Sequence, residues 1–138
     1  MAIITISRGS YSKGKEVAEK VASRLGYKCI SREVLLDASE HFHIPEIRLV
    51  RAIHDAPSIL ERFSHSRQAF ISYIQCALIQ FAKDDNVIYH GLAGHLILKG
   101  IPHVLKVRVI ADLADRVQAE MNREKISKTE ARTLLLKD

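Results

Sequence analysis

The chain has 138 residues, 47% of them hydrophobic, and a formal net charge of +5 at pH 7. That length suits one domain around one core. No run is long enough to cross a bilayer, and Arg8, Lys13 and Lys15 break the only apolar start too early for a signal peptide. The charge points to an anionic partner, while the lack of a basic block interleaved with aromatics argues against nucleic acid.

In chain order, the first predicted element is a strand over Ala2 to Ser7, followed by a glycine-containing loop. Val17, Ala18, Val21, Ala22 and Leu25 then recur at helical spacing, which predicts a helix from Gly14 to Leu25 that Gly26 ends. "YKCI" reads as a short strand, and "SREVLLDASEHF" as a helix capped by Ser31. Pro45 and Pro57 punctuate the next stretch, so 44–65 reads as an excursion between core elements. Phe70, Ile71, Ile74, Ala77, Leu78 and Phe81 predict a long amphipathic helix from Ser66 to Lys83, its stripe serving core packing.

"NVIYHG" reads as a buried strand and "AGHLILK" as a short helix. "HVLKVRVIA" sets Leu105, Val107 and Val109 against Lys106 and Arg108, a strand with one apolar face and one wetter one. Asp112 caps the following helix, which carries Leu113, Val117 and Met121. Ser127 with Glu130 three residues on makes a capping box for the last helix. Strands alternating with helices indicate an α/β fold, a parallel sheet with helices on both faces. Cys29 and Cys76 have no metal-ligand spacing and lie in apolar contexts, so they read as buried thiols of a cytoplasmic protein.

The stretch with the most chemical content is "GSYSKGK". It matches glycine, four residues, glycine, lysine between a strand and a helix. A helix N-terminus collects unpaired N–H groups and the positive end of the helix dipole. Gly9, Ser10, Tyr11, Ser12, Lys13, Gly14 and Lys15 are therefore candidates for a phosphate cradle. The next position, where a hydroxyl would meet magnesium, holds Glu16. The histidines carry no metal argument. His41 and His43 are two apart on a helix end, and His90 and His95 have no acidic or cysteine third ligand nearby.

The chain resembles the cytidylate kinase-like proteins, within the P-loop nucleoside monophosphate kinases. The likeness runs through "ITISR", "GKEVAEKVASRLGY", "SREVL", "NVIYHGLAGHLIL" and "VLKVRVIADLADRV" into "NREKISKTEA", nearly the whole chain. It implies a sheet sandwiched by helices, a monophosphate lobe, a mobile lid over 116–128, and ATP with Mg2+ as cofactors. The implied reaction moves the γ-phosphoryl group to a (deoxy)cytidine-type monophosphate. By resemblance Lys15, Arg116 and Arg123 would be catalytic, and Arg8, Arg32 and His90 would face the acceptor. Glu61, Arg62, Arg67 and Tyr73 would lie where the acceptor base and its phosphate sit. Tyr11 and Lys13 stand where the family usually has glycines, and Leu92 where a substrate-binding arginine is expected. These departures leave open a catalytically degenerate nucleotide sensor or interaction domain. A weaker option is a domain for some other phosphorylated ligand.

The chain ends at Asp138, within or just after its last helix, whereas the family continues to a further helix and a fifth strand. The expectation is a single P-loop kinase-like domain over 1–138 whose C-terminal edge strand is missing. Either a partner chain covers that edge, as in a homodimer, or the sequence is cut from a longer protein.

Overall fold

The computed structural model describes residues 2–54 and 65–136, apart from the side chain of His65. Four strands form one sheet: β1 Ile3–Arg8, β2 Lys28–Ile30, β3 Val87–Tyr89 and β4 Val104–Val109. The helices are α1 Gly14–Leu25, α2 Glu33–His41, α3 Glu46–His54, α4 His65–Ala82, α5 Gly94–Ile97, α6 Leu113–Glu124 and α7 Lys128–Leu135. The strand order is β2-β3-β1-β4, every pair parallel, with Ile3 opposite both Val87 and Val104. Parallel neighbours require crossovers, and the intervening helices supply them.

Alternation along β1 divides the core. Ile3 points into a large cluster with Val34, Leu49, Ile74, Leu78 and Leu98, drawn from α2, α3, α4 and the end of α5. Ile4 and Ile6 point the other way, onto Ala18 and Ala22 of α1 and Ile88 of β3. The small side chains of α1 let that helix lie close to the sheet. Its end is fixed by Gly26, left-handed at φ 66, whose amide donates to the Ala22 carbonyl. β3, covered on both sides, is wholly buried.

A third cluster joins Val117 of α6 to Ala131 and Leu135 of α7 and takes in Tyr11 from the loop after β1. Here the capping box is present: Ser127 accepts from the Glu130 amide, and the Glu130 carboxylate accepts from the Ser127 amide.

Several local expectations change. Ser31 does not cap α2. Its amide instead donates to Glu33 Oε2 at 2.7 Å, and the helix starts after Arg32 without a side-chain cap. Asp112 occupies its cap position with no side-chain bond. Cys29 is half-buried, but Cys76 is exposed on the outer side of α4. β4 lies at the sheet edge, so Leu105 is 57% exposed and Ile110 just beyond it 80%, while Val107 and Val109 reach the α1-side cluster. Of the 44–65 excursion, α3 is described, and Pro57, Glu61 and Arg62 lie outside the described residues.

Candidate functional site

The loop between β1 and α1 lies at the carboxyl ends of the strands, where open parallel sheets bind ligands. Ser12 folds it inward: its hydroxyl donates to the Gly9 carbonyl at 2.8 Å and its amide to the same oxygen at 3.3 Å. The first helical bond of α1 is Val17 N–H to Lys13 O. Among the described residues, the amides of Lys13, Gly14, Lys15 and Glu16 donate to no protein group. These are the orphan donors of a helix start, and they gather at one point.

Glycine is used here for space. Gly9 and Gly14 both avoid the left-handed region. The left-handed residues of the loop are Tyr11, at φ 59, and Lys13, at φ 58. At Gly14 the constraint is steric, because a Cβ would fall 2.6 Å from Arg8 Cβ.

A cavity of about 770 Å³ opens between this loop and the α6–α7 hairpin. Arg8, Lys13, Lys15 and Arg123 bring cations to its wall, and Leu134 and Leu135 an apolar side. Glu16 and Glu120 are its carboxylates. Arg116 is tied to the loop, its Nε donating to the Ser10 carbonyl at 2.7 Å. Arg123 Nη1 donates to the Tyr11 hydroxyl at 3.2 Å, with its guanidinium 5.8 Å from the ring centroid. Lys15 also reaches Glu19 one turn on, at 3.8 Å.

Of the residues expected at the acceptor, Arg8 lines this cavity, whereas Arg32 and His90 are not on its wall. Arg32 is engaged, its Nε and Nη2 each 2.7 Å from a carboxylate oxygen of Glu46. The bidentate pair holds Arg32 charged, and its hydrogen bonds with the carboxylate raise the arginine pKa and lower that of Glu46. His90 follows β3, half-buried, with Nδ1 unpartnered among the described residues. Burial lowers its pKa; Arg8 lowers it further, while its own backbone hydrogen bond and the nearby Glu19 and Glu33 act the other way. Arg67 Nε donates to the Ala52 carbonyl at 2.9 Å, and Tyr73 stacks on Phe42 with centroids 4.1 Å apart. Both are thereby tied into the helical packing.

Beside them a second cavity, about 310 Å³, is walled by Ile53, Ile71, Ile74 and Leu96, with Arg67 and Gln75 as its polar side. The Leu92 carbonyl accepts from the buried Tyr89 hydroxyl.

Glu120 was invisible to motif reading. It is 7% exposed, and its Oε2 has no partner among the described residues. Its signal was spacing: four residues after Arg116 and three before Arg123, it shares their face of α6.

Fold and loop together define an α/β protein of P-loop kinase type. Residues 3–138 match the cytidylate kinase-like family, and the chain belongs to that family. Its fold is similar to the crystal structure of an uncharacterized protein from Eubacterium ventriosum, with a TM-score of 0.63 at 18% identity, over 99% of this chain and 70% of that one. It is also similar to TT1252 from Thermus thermophilus, with a TM-score of 0.55 at 20% identity, over 94% and 76%. Among proteins of curated function, none matches. No described helix is long and apolar enough to cross a membrane.

Proposed function

We propose that the protein binds ATP through the Gly9–Glu16 loop and transfers its γ-phosphoryl group to a (deoxy)cytidine-type monophosphate. The observation that carries this reading is the convergence of four orphan amides with Arg8, Lys13, Lys15 and Arg123 on one cavity. Such a set collects anionic oxygens. The family supports a nucleotide-binding, kinase-like role in general. Residues 1–138 are read as one domain, with a lid over 116–128.

In this reading the chain does little covalent work. The loop amides hold the phosphates, Lys15 neutralises the outer oxygens, and Arg116 and Arg123 meet charge that grows at the transferring group. Arg8 and His90 line the approach of the acceptor. Among the described residues no three His, Cys, Asp or Glu side chains are arranged to hold a metal. The exposed Glu16 carboxylate on the cavity wall fits a magnesium bound mainly by phosphates. When bound, that ion would neutralise the phosphate oxygens.

A specific observation favours the second reading, a catalytically degenerate nucleotide-binding domain. On the acceptor flank Arg32 is paired with Glu46, and Leu92 stands where the resemblance would place a substrate-binding arginine. A coupled assay with ATP and CMP, dCMP or other monophosphates, run beside Lys15→Ala, tests both. Turnover lost in the variant supports the kinase. ATP binding without turnover of any acceptor leaves the degenerate domain, and no nucleotide binding removes both.

Two further elements complete the proposal. The two unpaired cysteines suit a cytoplasmic setting. A second copy of the chain would cover the β4 edge with its exposed Leu105 and Ile110. Light scattering should then give twice 15.6 kDa, and the mass of one chain would overturn the dimer.

A further inference from the structure

Tyr11 makes contacts that neither phosphate binding nor loop closure requires. It is left-handed at φ 59, a conformation that costs a non-glycine residue energy and persists where surroundings fix it. Three surroundings do so. Its side chain packs against the cluster of Val117, Ala131 and Leu135 contributed by α6 and α7. Its hydroxyl accepts from Arg123 Nη1. The nearby Glu120 carboxylate, itself buried, is the largest cause of a phenol pKa raised above 10.0.

The order of these groups has a direction. A phenol has one proton to give and lone pairs to receive. Here the oxygen uses a lone pair to accept from the Arg123 guanidinium at 3.2 Å. Among the described residues Arg123 is otherwise held only by its neighbour Glu124, at 3.2 Å, and its side chain is 70% exposed. A long cation in that situation samples many rotamers, and ordering it on ligand binding costs affinity. Tyr11, 112 residues away in sequence, supplies the tertiary restraint.

We infer that Tyr11 is a positioning residue: anchored by its packing against α6 and α7, its hydroxyl holds the Arg123 guanidinium over the phosphate cavity. The inference rests on the proposed binding of phosphates at that cavity. It gives a role to a side chain at a position where a glycine would serve the loop alone. An unsupported cationic side chain is the kind of group whose contribution depends on such second contacts.

The test is a double-mutant cycle on binding of ATP and of inorganic triphosphate, read by calorimetry, using Tyr11→Phe, Arg123→Ala and the pair. Tyr11→Phe keeps the ring and its packing, so thermal stability should change little. Its affinity should fall about three- to ten-fold, the scale of one lost hydrogen bond. In the Arg123→Ala background the same change should have almost no effect, since the group being positioned is gone. Unchanged affinity in Tyr11→Phe, or a loss of equal size in both backgrounds, would overturn the inference while leaving phosphate binding intact. Wild-type protein that binds neither ligand would overturn the nucleotide reading and this inference with it.

Discussion

Gly14 and Arg8 are in contact across the mouth of the candidate site: a Cβ on Gly14 would lie 2.6 Å from Arg8 Cβ and 2.7 Å from its Cδ. The first of these atoms moves only with the backbone of β1. Gly14→Ala should therefore push the loop off its seat. We expect a loss of about 1–3 kcal/mol of stability, the usual cost of overpacking, together with weaker binding of ATP. Gly9→Ala is the contrast, since its Cβ would meet Arg116 Cζ at an ordinary 3.7 Å. Denaturant melts of the two variants should separate clearly, and equal stability would mean that the Arg8 contact does not constrain the turn.

Tyr89 makes alkaline stability informative. Burial raises its pKa from 10.0 to about 12, so the folded protein keeps the phenol proton that the unfolded chain gives up near pH 10. The resulting stabilisation is complete below pH 10 and disappears as pH rises toward 12. A shift of that size corresponds to about 2–3 kcal/mol. Tyr89→Phe should lose about 1 kcal/mol at neutral pH with its bond to the Leu92 carbonyl. Its stability should then fall less steeply than wild type between pH 10 and 12, and parallel curves would contradict the burial argument.

On the acid side the sign comes from His90. Its pKa is lowered from 6.5, chiefly by burial. The unfolded chain therefore takes up this proton at a higher pH than the folded one. Stability should decline as pH falls below about 6.5. His90→Gln should flatten that limb of the curve, and chemical denaturation at pH 7.0 and 5.5 would reveal a variant with the wild-type slope.

Ser127 caps α7 through both of its polar groups, its hydroxyl also donating to Glu130 Oε2 at 2.6 Å. Ser127→Ala should cost about 1 kcal/mol. The loss should appear first as faster amide exchange in α7. Loss spread evenly over the sheet would instead mean that the hairpin and the core unfold together.

The parallel α/β architecture was legible in the order of residues alone, because hydrophobic period and cap chemistry are local. The stripe from Phe70 to Phe81 lies in α4, Gly26 ends α1, and Ser127 with Glu130 begins α7. The glycine-lysine spacing likewise placed the candidate loop between β1 and α1.

Tertiary structure decided what surrounds that loop. Local pattern suggested that Ser31 would cap α2, yet the Glu33 carboxylate claims the nearby amide. Arg32 looked available to an acceptor, yet α3 folds back to bring Glu46 against it. Tyr11, Glu120 and Arg123 come together only when α6 packs over the loop, across more than a hundred residues of chain. Contacts of that separation leave no period in the sequence. They arise where the two helices that follow β4 settle against the first turn of the protein, burying Val117 and Leu135.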